Sequence, residues 1–471
     1  MENTFIRLNS KYKLVNRRNM NILIDTENNK EEMFLSPSAV ILMNLLQNNI
    51  SLEKTITCLS QIYDAEHSTI KNKVLSFVEK AGKYLEGSED FADSKDNNLN
   101  IQLDIICLES NRYPYGAIKR SVVPEKIVFN ITDYCPRECI YCFNGAKCAR
   151  YNEIKDEFLS LSRFEEIMSE AKKIGIRKIE IGGGDPFVRK DILEYLSITD
   201  KYFPNAWATS TKAYISPEVA DQLSKLHAAD IQVSLDSLDS NTADKLMGVK
   251  GSYEQVRSSI KHLFDAGILP SIKMVITSLN CDEIEKNFYS FYEMGFRTIR
   301  ANSYMMSPNR HSDYLYPSDE QLNSFNSKVD RMLEFARENN IVTDINKIKI
   351  PEPVTQGYDR RVLCGGSSTD MYVRHDGSMI FCGQINNCEE LVIGSLKTHT
   401  VMDLWQSKKI NDLFNPYKNR EKYRGTRCYD CSQYESCYPK RCYVRSFTEN
   451  NNFFDFDPEC INGIRGYINR G

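Results

Sequence analysis

No stretch of this 471-residue sequence runs apolar for the roughly 18 residues that a membrane-spanning helix needs. The first residues, MENTFIRLNSKYK, also lack the uninterrupted apolar core of a signal peptide. A soluble, cytoplasmic protein without a membrane partner is the expectation. Neither sign of charge is in excess: 60 Lys+Arg stand against 64 Asp+Glu, so nothing in the balance demands nucleic acid. Histidine is scarce, at six residues, and His227, His262, His311 and His375 show no ligand spacing. Hydrophobic (41%) and charged (26%) fractions are ordinary, which excludes a disordered, collagenous or coiled-coil chain. The length suits two or three domains.

Cysteine is what the sequence has in plenty, with 15 residues. In a reducing compartment, clustered cysteines bind metal or do redox chemistry more often than they form disulfides. The clusters fall in different regions. Residues 1–87 form one unit. Phe5 to Leu14, Met20 to Ile24 and Met33 to Leu35 read as short strands. Ser36-Pro37 then opens a helix carrying Val40, Ile41, Met43, Leu45 and Leu46, and two further helices follow from Ser51 and around Ile70 to Leu85. That order suggests a winged helix-turn-helix module. Its second helix, LEKTITCLSQIY, offers only Lys54 as a basic residue, whereas a groove-reading helix carries several. Residues 88–120 begin with SEDFADSKDNNLN and read as a linker and bridging region.

From 121 to 340 the chain alternates strands and helices. Apolar strands are expected at Ile127–Thr132, Lys178–Ile181, Ala206–Thr209, Ile231–Leu235, Ile272–Thr277 and Thr298–Ser303. A capping box at Ser162–Glu165 opens a helix that Gly175 closes, and Ser216-Pro217 opens another. Repeated strand–helix pairs indicate an α/β fold built on a partial (β/α)6 barrel, with its active site at the C-terminal strand ends. Residues 341–471 form a separate, cysteine-organised domain.

The first cysteine set, Cys135, Cys139 and Cys142, follows directly on the first strand in ITDYCPRECIYCFN. Three thiolates at this spacing can close around one metal centre. A fourth sulfur would complete a zinc site, or a cubane could be held with one iron left open. The second strand ends in Gly182-Gly183-Gly184-Asp185-Pro186, where glycines permit a close backbone approach. Together these motifs resemble the radical S-adenosylmethionine (SAM) superfamily, although the usual turn has Glu where Asp185 stands. The resemblance implies a [4Fe–4S] cluster on the three cysteines. SAM would be chelated at the fourth iron and cleaved by one electron to a 5′-deoxyadenosyl radical that abstracts a substrate hydrogen. It also implies SAM contacts at Tyr141, Asn144, Gly182, Gly183, Gly184, Asp185, Ser210, Ser234 and Asp236. Turn and cap roles explain Ser210, Ser234 and Asp236 as readily. No acid/base pair stands out.

The second set reads Cys364, Cys382, Cys428, Cys431, Cys437, Cys442 and Cys460, with Cys388 shortly after Cys382. A zinc ribbon also uses C-x2-C. The order, with Ile393-Gly394-Ser395-Leu396 and Met402-Asp403-Leu404-Trp405 between its halves, resembles the SPASM domain; the gap from Cys437 to Cys442 is one residue longer than usual. That resemblance implies two auxiliary [4Fe–4S] clusters, three clusters in all. Cys428, Cys431, Cys437 and Cys460 would hold the outer one. Cys364, Cys382 and Cys442 would hold the inner one, completed by Cys388 or by a substrate cysteine.

Residues 1–87 in turn resemble the RiPP recognition element, which binds the leader of a ribosomally made precursor peptide as an added strand. The whole chain thus resembles a peptide maturase of the thioether-forming type (sactipeptide or ranthipeptide synthase). A radical SAM oxidoreductase is expected, reduced by a flavodoxin- or ferredoxin-type donor and forming a Cys thioether on the peptide. Carbon–carbon crosslinking or another oxidative change is the nearest alternative. Sulfatase maturation is disfavoured by Gly383, where such enzymes carry Asp. A zinc-bearing DNA-binding regulator is the alternative outside enzymes.

Overall fold

A computed structural model describes the chain except residues 1–4, 18–19, 28–29, 36–38, 40–41, 44, 47–50, 64–65, 89–122, 149–157, 306, 308, 311, 349–365, 386–388, 414–418, 433, 435–441 and 458–471. Two compact units result, 1–125 and 126–471. Among the described residues no helix is long and apolar enough to cross a membrane.

In the first unit the expected strand from Phe5 to Leu14 is two. β1 (Phe5–Leu8) pairs antiparallel with β5 (Leu85–Ser88), and a turn then feeds β2 (Tyr12–Arg17). The break comes at Asn9, whose side-chain oxygen accepts from Lys11 N–H and whose carbonyl accepts from Tyr12 N–H. β2, β3 (Met20–Asp25) and β4 (Lys30–Leu35) form an antiparallel sheet with β3 in the centre. Two helices, α1 (Leu52–Tyr63) and α2 (His67–Lys80), follow. Leu23, Leu35, Met43, Leu46, Ile56 and Val74 share their buried core with Leu8 and Tyr12. The Ser36-Pro37 helix start and most of the 88–120 linker lie outside the described residues.

The second unit is built on one nine-stranded sheet. Six parallel strands run in chain order: β6 (Lys126–Asn130), β7 (Lys178–Gly182), β8 (Trp207–Thr211), β9 (Asp230–Ser234), β10 (Ser271–Ile276) and β11 (Ile299–Ser303). Among the described residues the sheet does not close on itself. The free edge of β6 pairs instead with β12 (Asp370–Val373), which continues through the antiparallel strands β13 (Ser378–Ile380) and β14 (Val392–Ser395). The six-strand expectation holds, but the cysteine-rich region shares the same sheet, which periodicity could not reveal.

Along the six strands, Ile127, Phe129, Ile179, Ile181, Trp207, Ile231, Val233, Ile272, Met274 and Ile299 are buried. The alternate positions Glu180, Ser210, Gln232, Ser234, Lys273 and Arg300 are polar and half-buried. One face is therefore core, and the other is mainly polar, with Val128, Ala208 and Val275 set among its polar positions. On the core side, Phe129 meets Phe164 of helix 161–174 edge-on, with ring centroids 5.3 Å apart. That helix begins two residues earlier than the expected capping box. Ser160 is the cap, its hydroxyl accepting from Arg163 N–H, and Glu165 pairs with Lys201 instead. Gly175 ends it in the left-handed conformation, and Ser216-Pro217 opens the helix 217–223, both as expected.

Candidate active site

The cysteine loop leaves the C-terminal end of β6 and is clamped from two sides. Glu138 and Ile140 donate their N–H groups to the Met247 and Leu246 carbonyls. Gly248 has φ +71°, and a Cβ there would lie 2.4 Å from the Glu138 carbonyl oxygen. On the other side the glycine turn packs against Thr132 to Tyr134. Gly184 N–H donates to the Thr132 carbonyl at 2.7 Å and Asp185 N–H to the Tyr134 carbonyl at 2.8 Å. A Cβ on Gly183 (φ +131°) would meet the Thr132 oxygen at 2.4 Å, and one on Gly184 the Tyr134 oxygen at 2.1 Å. These two glycines thus permit close approach to the protein's own backbone. Gly182 differs: its nearest obstacle is Asn130 Oδ1 at 3.9 Å, which leaves space for a ligand beside it. Its carbonyl is taken by Ile131 N–H at 3.0 Å.

Cys135 and Cys139 are buried and Cys142 half-buried. Burial pushes the Cys135 thiol well up, and the Asp185 carboxylate and the two neighbouring thiols add to it. Burial raises the Cys139 thiol too, against the pull of the Lys212 ammonium. The three sulfurs are close enough to feel one another. Among the described residues, however, no three His, Cys, Asp or Glu side chains gather tightly enough for a single metal ion. Three thiolates on one short loop at a strand end are a donor set that fits an iron–sulfur cluster with one iron left for another ligand.

Asp185 is fully buried and saturated by protein donors: Phe187 N–H (3.1 Å), Thr211 hydroxyl (3.0 Å), Lys212 N–H (2.6 Å) and Ala213 N–H (2.9 Å). Burial drives its pKa up despite these bonds. Its carboxylate ties the turn after β7 to the end of β8, a structural duty beside the SAM contact expected of it. Asp236 is buried as well. It accepts from Val275 N–H at 2.7 Å, from the Tyr141 hydroxyl and from the Lys212 ammonium at 2.9 Å. Tyr141 and Asn144 are buried in the loop; Ser210 and Ser234 are half-buried near the strand ends. Burial, with Asp236 next, holds the Tyr141 phenol well above its ordinary value.

Lys212 is the residue that sequence reasoning missed. It stands one position past β8, where a lysine reads as an ordinary turn residue. Its ammonium touches Asp236, Tyr141 and, at 3.7 Å, Cys139 Sγ. Burial opposes the charge, but Asp236 and the Cys139 thiol outweigh it and hold the ammonium above its ordinary value.

In the C-terminal region, Cys382, Cys428, Cys431 and Cys442 all pack against one aromatic cluster that includes Phe381, Tyr423, Tyr434 and Tyr443. Cys442 N–H donates to the buried Asp457, which Arg445 also holds with two bonds. Cys364, Cys388, Cys437 and Cys460 lie outside the described residues. Cys281 is buried, and the exposed Cys148 lies opposite Cys135 in a short parallel strand pair. The two cysteine regions meet through Asn309. Its Nδ2 donates to the Phe143 carbonyl at 2.8 Å, beside Cys142, and reaches the Gln384 carbonyl at 3.4 Å, two residues beyond Cys382.

Family comparisons agree with this geometry. Residues 129–286 match the radical SAM superfamily, and residues 364–432 match SPASM, an iron-sulfur cluster-binding domain. The chain therefore carries a radical SAM domain, which binds SAM and a [4Fe–4S] cluster, and a SPASM domain, which binds auxiliary iron–sulfur clusters. Among curated relatives, the mycofactocin maturase MftC of Mycolicibacterium smegmatis is 23% identical over 347 residues, 72% of this chain and 83% of that protein. The PqqA peptide cyclase of Granulibacter bethesdensis is 24% identical over 351 residues, 72% of this chain and 87% of that one. Streptococcus suis SuiB superposes with a TM-score of 0.62 at 18% identity, covering 96% of this chain and 99% of SuiB. SuiB bound to its precursor peptide SuiA gives 0.55 at 17% identity, over 98% of this chain and 99% of that one.

Proposed function

We propose that this protein modifies a ribosomally made precursor peptide, breaking a C–H bond of an acceptor residue and joining the resulting carbon to a cysteine sulfur of the same peptide. The relative named for a peptide substrate, the PqqA peptide cyclase, supports the substrate class. The single observation that carries the reading is the Asn309 bridge, which sets the Cys382 segment one side chain from the loop of Cys135, Cys139 and Cys142. A thiolate held on the inner auxiliary cluster would lie beside the place where hydrogen is taken. Bound SAM and the reduced loop cluster would supply the hydrogen-abstracting carbon radical, and as the C–S bond formed the cysteine's proton would leave and the remaining electron would pass to the auxiliary clusters; the chain's residues do the rest.

Gly182 leaves room beside the strand end, and Lys212, Asp236 and Tyr141 bond one another and so fix the loop. The polar, half-buried positions Ser210, Gln232, Ser234 and Lys273 give an extended peptide hydrogen-bonding partners along the open sheet face. Cys135, Cys139 and Cys142 would hold the loop cluster. Cys428, Cys431, Cys437 and Cys460 would hold the outer auxiliary cluster, and Cys364, Cys382 and Cys442 the inner one, with Cys388 or the peptide cysteine in its last position. Residues 1–87 would take the leader. β2 and β4 each pair on one side only among the described residues, so either offers an edge for an added strand. A flavodoxin- or ferredoxin-type protein would deliver the electron.

The test is anaerobic incubation of reconstituted protein with SAM, reductant and a cysteine-bearing peptide encoded beside its gene, followed by mass spectrometry. Loss of two hydrogens with one cysteine made resistant to alkylation is the expected result. Loss of two hydrogens with every cysteine still alkylatable would replace thioether formation by carbon–carbon crosslinking or desaturation.

A further inference from the structure

Lys212 is fastened at every polar group it has. Its N–H donates to Asp185 at 2.6 Å, its carbonyl accepts from Arg137 Nε at 3.1 Å, and its ammonium bonds Asp236 and Tyr141. Asp185, Arg137 and Asp236 are themselves buried. The turn after β7, the cysteine loop and the end of β9 therefore converge on this one residue. Held so firmly, the ammonium has little freedom to leave Cys139 Sγ, 3.7 Å away, within reach of an N–H···S hydrogen bond.

We propose that Lys212 is a positioning residue for the loop's iron–sulfur cluster, whose fixed charge and hydrogen bond to the Cys139 sulfur raise the cluster's reduction potential. Reduction adds negative charge to a cluster already carrying thiolates. A cation beside one ligand favours that step, and water-poor surroundings strengthen the effect. Asp236 partly offsets the ammonium, so the two substitutions move the potential in opposite senses. Replacing Lys212 by Met removes the cation and leaves Asp236 facing the cluster. Replacing Asp236 by Asn leaves the cation uncompensated. A residue that merely packed the loop in place would affect stability and leave the potential alone.

The inference rests on the loop holding a cluster, so the experiment reads that first. Full-length reconstituted protein is titrated with a chemical reductant, and the EPR signal that added SAM perturbs is followed. In K212M the reduced fraction at a fixed poise should fall at least tenfold, a drop of about 59 mV for one electron. K212R should stay within about threefold of the parent and D236N should shift upward. An unmoved K212M potential, with a normal parent signal, overturns the role of Lys212 alone. A parent without any SAM-perturbed signal overturns the cluster and Lys212 together. If K212M does not load iron, parent protein labelled with 15N-lysine decides. A lysine nitrogen coupling to the reduced cluster, lost in K212R, supports the assignment, and its absence overturns it.

Discussion

Gly184 has no room for a methyl group, because the Tyr134 carbonyl oxygen occupies the place where its Cβ would stand. Gly184→Ala must push the cysteine loop off the turn, at about 1–3 kcal/mol as for other overpacked sites. The expected result is a lower melting temperature and loss of one cluster's iron per chain. Gly182→Ala meets nothing nearer than 3.9 Å and should retain both stability and iron. Iron and sulfide analysis of the two variants checks the pair, and equal iron contents would contradict it. At this scale the sequence was legible wherever a motif is contiguous. The three cysteines and the GGGDP turn stand out because neighbours in the chain are neighbours in space. Lys212 was not legible. Its partners Cys139, Tyr141 and Asp236 come from two other strand ends, and only the register of the sheet brings them together.

Between elements, the seam of interest joins β6 to β12. Lys126 spans it, with its ammonium 3.0 Å from Glu180 of β7 and 3.3 Å from Asp370 of β12. Burial works against the charge, but Glu180 and Asp370 together raise the lysine above its ordinary 10.5. A raised lysine stabilises fully below its unfolded value and loses that contribution as the pH climbs through the folded one. Thermal stability should therefore show a step down above about pH 10.5. K126M should lack that step and cost about 1–2 kcal/mol at neutral pH, as a half-buried pair does. Melting curves of both proteins across the alkaline range check this, and a step that survives in K126M would contradict it. The six parallel strands were readable because each is an apolar run between helical patterns. β12 to β14 were not, since they are only three or four residues long and their place at the β6 edge is set by a pairing some 240 residues away in sequence. At the helix 161–174 two neighbouring serines, Ser160 and Ser162, are both plausible caps, and it is Ser160 that takes the Arg163 N–H.

At the scale of the whole molecule, both cysteine regions belong to one compact unit, joined by a continuous sheet and by Asn309. That arrangement separates two chemical duties that mutation can part. Replacing Cys428 and Cys431 by Ala should lower the iron content by one cluster and abolish peptide product. SAM cleavage should survive, because the loop of Cys135, Cys139 and Cys142 keeps its own clamp. Product formed at the parent rate would show that the auxiliary clusters serve only stability. The central question is whether the hydrogen comes from a peptide. The most direct measurement uses a candidate precursor peptide deuterated at its acceptor residues, with isotopic analysis of the 5′-deoxyadenosine formed under anaerobic reduction. Deuterium transferred into 5′-deoxyadenosine, in step with product, is the result expected. Deoxyadenosine without deuterium beside a modified peptide would contradict the account.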